Sequence, residues 1–170
     1  MDDDKLMINN NNLQGKALIL MELCKKNKVK IVTIESCTAG MISAAITQIP
    51  GSSAIFDRGF VTYSNVSKVN TVNVKYDLID KFGAVSPEVA LAMARGGLER
   101  SDAAVSIAIT GIAGPDGGTK IKPVGLVYFA LISGVNKKII QKKYMFLGDR
   151  DDIRHQSTLT GIDLLISIFN

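Results

Sequence analysis

The chain has 170 residues, of which 46% are hydrophobic and 21% are charged, and its formal net charge is +4. These values are typical of a globular domain, and no apolar run approaches the roughly 20 residues that a membrane-spanning helix needs. Because aromatic residues are few and do not alternate with the lysines, the sequence also argues against binding of nucleic acid. We expect one domain whose partners include neither a membrane nor a nucleic acid.

The N-terminus begins Met-Asp-Asp-Asp-Lys, like the remnant of a protease-cleavable tag, and an asparagine-rich segment follows. We assign residues 1–12 to this remnant and a flexible N-terminus, and residues 13–170 to a single domain. The N-terminus does not have the composition of a secretory signal. Two cysteines, Cys24 and Cys37, do not suggest a disulfide framework and fit a reducing compartment, so a cytoplasmic location is expected.

Hydrophobic periodicity predicts an alternation of helices and strands along the chain. Helices are expected at residues 13–27, 39–46, 65–72, 76–82 and 87–100, and from about residue 149 onward. Strands are expected at residues 29–34, 56–63, 103–109, 124–132 and 138–146, the last two forming a hairpin. Since strands separated by helices pair in parallel, the predicted fold is α/β: a three-layer α/β/α domain with a mixed, mostly parallel sheet of about five strands.

The turn between the first strand and the second helix carries Ser36, Cys37 and Thr38. At the N-terminus of a helix, unpaired N–H groups and the helix dipole favour an anion or a developing negative charge. Three small hydroxyl or thiol side chains at that place act either as helix caps or in chemistry.

The residue inventory limits this chemistry. With one histidine and two cysteines, a zinc site of standard ligand spacing is not expected. His155 lies inside the last helix, where a surface or capping role is the simpler interpretation, so a Ser-His-Asp triad is unsupported. A lysine whose pKa is lowered by burial can also activate a serine. Lys68 follows the end of the second strand, although composition alone favours a solvent-facing lysine there.

Two further features border the same sheet edge, where strand ends gather around a crevice. A glycine-rich loop, residues 110–118, follows the buried third strand. It lacks the lysine of a Walker A loop, and a strand rather than a helix comes after it, so a dinucleotide-dependent oxidoreductase is a weak alternative. The loop either binds an anion or is a flexible connection. Arg150, at the start of the last helix, pairs either with a ligand phosphate or carboxylate or with the neighbouring aspartates.

Several motifs occur in register along the chain: Glu35–Gly40, Pro50–Ser53, Arg58–Asn65, Gly83–Ser86, Thr110–Gly118, Lys122–Gly125 and Gly148–Arg150. On these motifs the chain resembles the CinA C-terminal domain family, over roughly residues 13–169. The sequence departs from the family pattern at Ala39, where a second glycine is common, and the extra methyl group narrows the turn.

The resemblance implies hydrolysis of the carboxamide of nicotinamide mononucleotide, giving nicotinate mononucleotide and ammonia, with no metal or organic cofactor. It implies Ser36 as the nucleophile, Lys68 as the base and Tyr63 as an orienting hydroxyl. The implied substrate contacts are Cys37, Thr38, Thr110, Gly111, Gly114 and Arg150. Backbone N–H groups of the turn would stabilise the oxyanion.

Alternatives remain for individual residues and for the whole chain. Cys37 is the second-ranked nucleophile, since thiolates form readily at helix N-termini. Thr38 is expected to cap the second helix, and Glu35 has no assigned role. The competing function is a non-catalytic nucleotide-binding or interaction module of the competence/damage-inducible type. A small-molecule nucleotide is the expected partner in either case, and self-association, for example as a dimer, stays open.

Overall fold

The computed structural model describes residues 12–169. The prediction of a tag remnant and flexible segment therefore lies outside the described residues, apart from Asn12. The side chain of Asn12 accepts a hydrogen bond from the backbone N–H of Gly15 and caps the first helix. Asn12 thus belongs to the folded domain.

Six α-helices and five β-strands follow one another in the described chain. The helices are α1 (Leu13–Asn27), α2 (Met41–Thr47), α3 (Asn65–Val72), α4 (Tyr76–Phe82), α5 (Pro87–Glu99) and α6 (Arg150–Ser167). The strands are β1 (Ile31–Glu35), β2 (Phe56–Val61), β3 (Val105–Gly111), β4 (Leu126–Ser133) and β5 (Lys138–Met145). Each predicted element is present. Among residues 12–169, none of the helices has the length and apolar character that crossing a membrane requires.

The five strands form one sheet in the order β2-β1-β3-β4-β5. Strand β1 pairs in parallel with β2 and β3, whereas β4 is antiparallel to both β3 and β5. Four strands therefore point in one direction and β4 in the other, which confirms a mixed, mostly parallel sheet. The carboxyl ends of β1, β2 and β3 lie at one edge of this sheet.

Alternating side chains of the sheet divide the core into two halves, one on each face. Ile107 and Ile109 of β3 belong to a cluster with residues of α1, α2 and α6, such as Leu20 and Leu165. Ala108, between them, belongs to a second cluster with residues of α4 and α5. Helices thus cover both faces of the sheet, and the predicted three-layer arrangement is confirmed.

Helix α3 is held against α5 by a close backbone approach. A Cβ atom added at Gly96 of α5 would overlap the carbonyl of Val72 at the end of α3. Because α3 also carries Lys68, Gly96 sets how near that lysine lies to the sheet.

We expect Gly96→Ala to lower the free energy of unfolding by about 2 kcal/mol, since overpacking against a backbone atom typically costs about 1–3 kcal/mol. Gly97→Ala is a second overpacking variant for comparison, because the added methyl group there would meet buried side-chain atoms of Ile34 instead of a backbone carbonyl. Urea denaturation followed by circular dichroism measures both. Equal stability of the wild type and the Gly96→Ala protein would contradict this account of the α3–α5 contact.

Candidate active site

Ser36 directly follows β1, in the turn that leads into α2. Its backbone N–H donates to the carbonyl of Ile109 at 3.0 Å, and the carbonyl of Glu35 accepts from the N–H of Thr62 at 2.8 Å. These bonds tie the turn to the ends of both neighbouring strands. The Ser36 residue is 7% exposed and lines a cleft.

Lys68 lies beside this serine. Its Nζ is 3.0 Å from Ser36 Oγ, 2.8 Å from the carbonyl oxygen of Thr62 and 3.3 Å from that of Tyr63. Lys68 is 1% exposed, so the solvent-facing alternative is wrong. The cap of α3 directs it there: Ser64 Oγ accepts from the N–H of Ser67, which starts the helix one turn before the lysine.

Burial lowers the pKa of Lys68 from 10.5 to about 8, because the charged amine loses hydration in the interior. A neutral amine has two hydrogens and one lone pair. The carbonyls of Thr62 and Tyr63 accept the two hydrogens, and the lone pair is left for the hydroxyl proton of Ser36. The geometry therefore suits removal of a proton from this serine.

Glu35, which had no assigned role, organises the turn. Its buried carboxylate accepts hydrogen bonds from the N–H groups of Gly40, Ile42 and Ser43 and from the hydroxyl of Ser43, at 2.8–3.1 Å. A carboxylate at this position is favoured by the positive end of the α2 dipole. An acidic residue a few positions before a predicted helix start is the sequence signal that indicates such a role.

The prediction that Thr38 caps α2 is wrong. The N-cap residue is Gly40, which has φ +98°, and Glu35 satisfies the first N–H groups instead. The Thr38 hydroxyl is buried and has no hydrogen-bond partner among the described residues. The neighbouring Ala39 adopts φ +50°, a left-handed conformation that costs an L-residue about 1–2 kcal/mol. That conformation explains why glycine suits this position better than alanine.

Cys37 is 5% exposed, and burial raises the pKa of its thiol to about 12. The thiol is therefore protonated near neutral pH, which disfavours Cys37 as a nucleophile. The N–H groups of Cys37 and Thr38 and the charge of Lys68 act in the opposite direction and favour negative charge at this spot. Within the described chain, neither of these N–H groups donates to an oxygen atom. Both lie beside the Cys37 sulfur, and such uncommitted N–H groups are the kind of donor that can stabilise negative charge.

Ser36 and Lys68 open onto a cavity of about 170 Å³. Its walls come from the ends of β1, β2 and β3 and the loops that follow them. Lining residues that the sequence singled out are Ser36, Cys37, Tyr63, Lys68, Thr110, Gly111 and Arg150, and those that it missed are Asn65, Ala84, Val85 and Ala113. A second cavity, of about 390 Å³, adjoins it and shares Ala113 and Arg150.

Arg150 connects the walls of the two cavities. One of its guanidinium nitrogens, Nη1, donates to the carbonyl of Gly114 at 2.7 Å, and Nη2 donates to the Tyr63 hydroxyl at 3.1 Å. Arg150 thus bonds to Gly114 and Tyr63, and the alternative of an ion pair with the neighbouring aspartates is not what the described residues show. Tyr63 meets Lys68 through its backbone carbonyl, whereas its hydroxyl is held by Arg150.

The remaining predicted residues shape the cleft. The Thr110 hydroxyl donates to the carbonyl of Ala84 at 2.8 Å and so ties β3 to the loop before α5. A side chain at Gly111 would overlap Val127 of β4. His155 is exposed on α6, in agreement with the surface interpretation. Among residues 12–169, no group of three or more His, Cys, Asp or Glu side chains is placed to hold a metal ion.

Known proteins are similar to this chain over most of its length. Residues 14–169 match the model of the CinA C-terminal domain family. The nicotinamide-nucleotide amidohydrolase PncC of Pseudomonas putida is 42% identical over 149 residues, which cover 88% of this chain and 92% of that protein. A CinA-like protein of Endomicrobium trichonymphae is 48% identical over 88% of this chain. The chain spans about one third of the length of the first curated relatives that it matches.

The crystal structure of the competence/damage inducible protein CihA from Agrobacterium tumefaciens has the same fold. It superposes with a TM-score of 0.90 and 39% identity, and the match covers 93% of this chain and 96% of that one. The competence damage-inducible protein A from Klebsiella pneumoniae gives a TM-score of 0.88 at 28% identity. Both likenesses confirm the predicted α/β architecture.

We expect Glu35→Gln to lower the free energy of unfolding by about 2–3 kcal/mol, because the NH2 half of the new amide faces donors from which one carboxylate oxygen accepted. Glu22→Gln, at an exposed position of α1, is the control and should change stability by less than about 0.5 kcal/mol. Urea titrations of the three proteins give the comparison. Similar small effects of both substitutions would remove Glu35 as the organiser of the turn.

Proposed function

The chain belongs to the CinA C-terminal domain family, and on that premise we propose that it hydrolyses nicotinamide mononucleotide to nicotinate mononucleotide and ammonia. The observation that carries the proposal is the 3.0 Å contact between Lys68 Nζ and Ser36 Oγ in a buried cleft. The substrate class is supported by the 42% identity with a protein named as a nicotinamide-nucleotide amidohydrolase, across 92% of its length.

In the proposed first step, neutral Lys68 accepts the hydroxyl proton of Ser36 while Ser36 Oγ attacks the carboxamide carbon. The carbonyl π electrons move to oxygen and give a tetrahedral oxyanion. The N–H groups of Cys37 and Thr38 are the donors best placed to stabilise it, since the Ser36 N–H is already bonded to Ile109.

In the second step, protonated Lys68 gives its proton to the amide nitrogen, the carbon–nitrogen bond breaks, and ammonia leaves. The nicotinoyl group then remains as an ester on Ser36. Neutral Lys68 next takes a proton from water, whose oxygen attacks the ester, and the proton returns to Ser36 as nicotinate mononucleotide is released. The cycle needs no reagent besides water.

The two cavities match the two parts of this substrate. The 170 Å³ cavity at Ser36 has room for a single pyridine ring, and the 390 Å³ cavity beyond Arg150 has room for the ribose and phosphate. Asp149 and Asp151, at the start of α6, also line the larger cavity and repel a phosphate from that part of its wall. We therefore assign the phosphate contact to the Arg150 guanidinium and the N–H groups of the glycine-rich loop.

Ser36→Ala and Lys68→Met should each reduce ammonia release from nicotinamide mononucleotide by about 10³-fold or more, since nucleophile and base act as one unit. An enzyme-coupled ammonia assay measures this, with nicotinamide riboside, free nicotinamide and a dinucleotide as comparison substrates. Lys26→Met, at an exposed position of α1, is the control for Lys68→Met. A chelator should leave the wild-type rate unchanged.

Two outcomes would contradict the assignment. Full turnover by the Ser36→Ala protein would remove Ser36 as the nucleophile. Calorimetric binding of the nucleotide by the wild type, with no ammonia released over hours, would instead favour the non-catalytic nucleotide-binding module.

The pH profile gives an independent check on Lys68. Only its neutral form accepts a proton, so kcat/KM should rise with pH and level off above the pKa of about 8. At pH 6 the neutral fraction, and with it kcat/KM, should be about 100-fold lower than on the plateau. A profile that is flat between pH 6 and 9 would show that Lys68 is not the base.

A further inference from the structure

Arg154 of α6 binds the turn that carries the nucleophile. Its Nε donates to the carbonyl of Cys37 at 3.2 Å, and its Nη2 donates to the carbonyl of Thr38 at 3.4 Å. One planar guanidinium thus holds two successive carbonyls of the Ser36 turn. The mechanism above does not use this residue.

Among the described residues that line the Ser36 cleft, Arg154 is absent. Helix α6 contributes Arg150 to the lining of the cavity, whereas Arg154 lies one helical turn further on, behind the turn. Its ion pair with Asp151 does not explain this placement, because the distance is 3.8 Å and the Asp151 side chain is 91% exposed. Exposed pairs of this kind contribute about 0–1 kcal/mol.

The Cys37 carbonyl and the Thr38 N–H are the two ends of one planar peptide group. A cationic donor at the carbonyl oxygen draws electron density toward oxygen and makes the N–H at the other end a stronger donor. That N–H is one of the two that donate to no oxygen in the described chain. The same N–H lowers the pKa of the Cys37 thiol and so favours negative charge beside the Cys37 sulfur.

The second bond fixes the shape of the turn. The Thr38 carbonyl shares its peptide group with the Ala39 N–H, which donates to the Ser36 carbonyl at 3.1 Å. Arg154 therefore polarises the peptide that closes the turn as well as the peptide that faces the oxyanion. A lysine would supply only a point charge without the planar fork.

We propose that Arg154 is a positioning residue of the hydrolysis, which strengthens and orients the Thr38 N–H as an oxyanion donor from behind the Ser36 turn. The proposal rests on the amidohydrolase function stated above. Arg154 acts on the transition state through the peptide group that joins Cys37 and Thr38, so its effect belongs in kcat rather than in substrate affinity.

The test compares Arg154→Met and Arg154→Lys with the wild type and with Arg100→Met, an exposed arginine at the end of α5. Because loss of a whole oxyanion donor costs about 10²–10³ in kcat, we expect about a tenfold loss of kcat for Arg154→Met. The KM for nicotinamide mononucleotide should be unchanged. Arg154→Lys should lie between Arg154→Met and the wild type, and Arg100→Met should match the wild type.

A second measurement separates oxyanion stabilisation from a general loosening of the site. Pyridine-3-boronic acid forms a tetrahedral adduct with a serine, so its inhibition constant should rise by the same factor as kcat falls. The dissociation constant of the product, nicotinate mononucleotide, should stay constant. The boronate comparison on Arg154→Lys alone decides the matter if Arg154→Met does not fold.

Four results would overturn the proposal. Wild-type kcat in Arg154→Met would show that the contact has no catalytic effect. A raised KM with unchanged kcat would make Arg154 a substrate contact, and a boronate constant that does not follow kcat would make it a structural residue only. If the wild type itself released no ammonia from any nicotinamide nucleotide, the amidohydrolase function would fail first and this proposal with it. That last result is recognisable because it appears before any substitution is made.

Discussion

The arrangement depends on the burial of one amine. Lys68 is 1% exposed, and a charged amine in such a place is unfavourable unless polar atoms surround it. The carbonyls of Thr62 and Tyr63 supply those atoms, because β2 ends just before them and leaves both carbonyls free of the sheet ladder. The end of β2, the Ser64 cap of α3 and the Ser36 turn thus act together to place the amine of Lys68. They hold a lysine of lowered pKa against a serine.

The turn itself is fixed by charge from two sides. The Glu35 carboxylate takes the N–H groups at the start of α2, and the Arg154 guanidinium takes the carbonyls of Cys37 and Thr38. A carboxylate of the protein therefore already occupies the positive end of the α2 dipole. The sequence-based idea that this helix terminus itself receives an anion needs revision, since the N–H groups left for an oxyanion belong to the turn before the helix.

Local sequence patterns predicted the helices and strands, whereas tertiary contacts decided which side chains are buried and what they bind. The bounds of α1, α3 and α4 follow from hydrophobic spacing, and Ser86 with Pro87 marks the start of α5. No local pattern shows whether a lysine one turn into α3 faces solvent or the interior, because its partners come from β1 and β2. A tertiary contact also explains why Thr38 does not cap α2. A threonine before a helix is a good capping signal, but Glu35 accepts from the first N–H groups of this helix instead. The family resemblance named Ser36 and Lys68. The local sequence signal for Glu35 is its position shortly before a helix start, and Arg154 has no such signal.

The guanidinium of Arg150 makes two hydrogen bonds within the protein. It joins the Gly114 carbonyl to the Tyr63 hydroxyl and so keeps the glycine-rich loop next to the end of β2. A guanidinium has five N–H donors, and these two bonds use only two of them. Arg150 therefore has donors left for a phosphate in the adjoining cavity without releasing either wall. A lysine, with three donors on one nitrogen and no planar fork, would not span the same positions, so the geometry of the cleft accounts for an arginine at the start of α6.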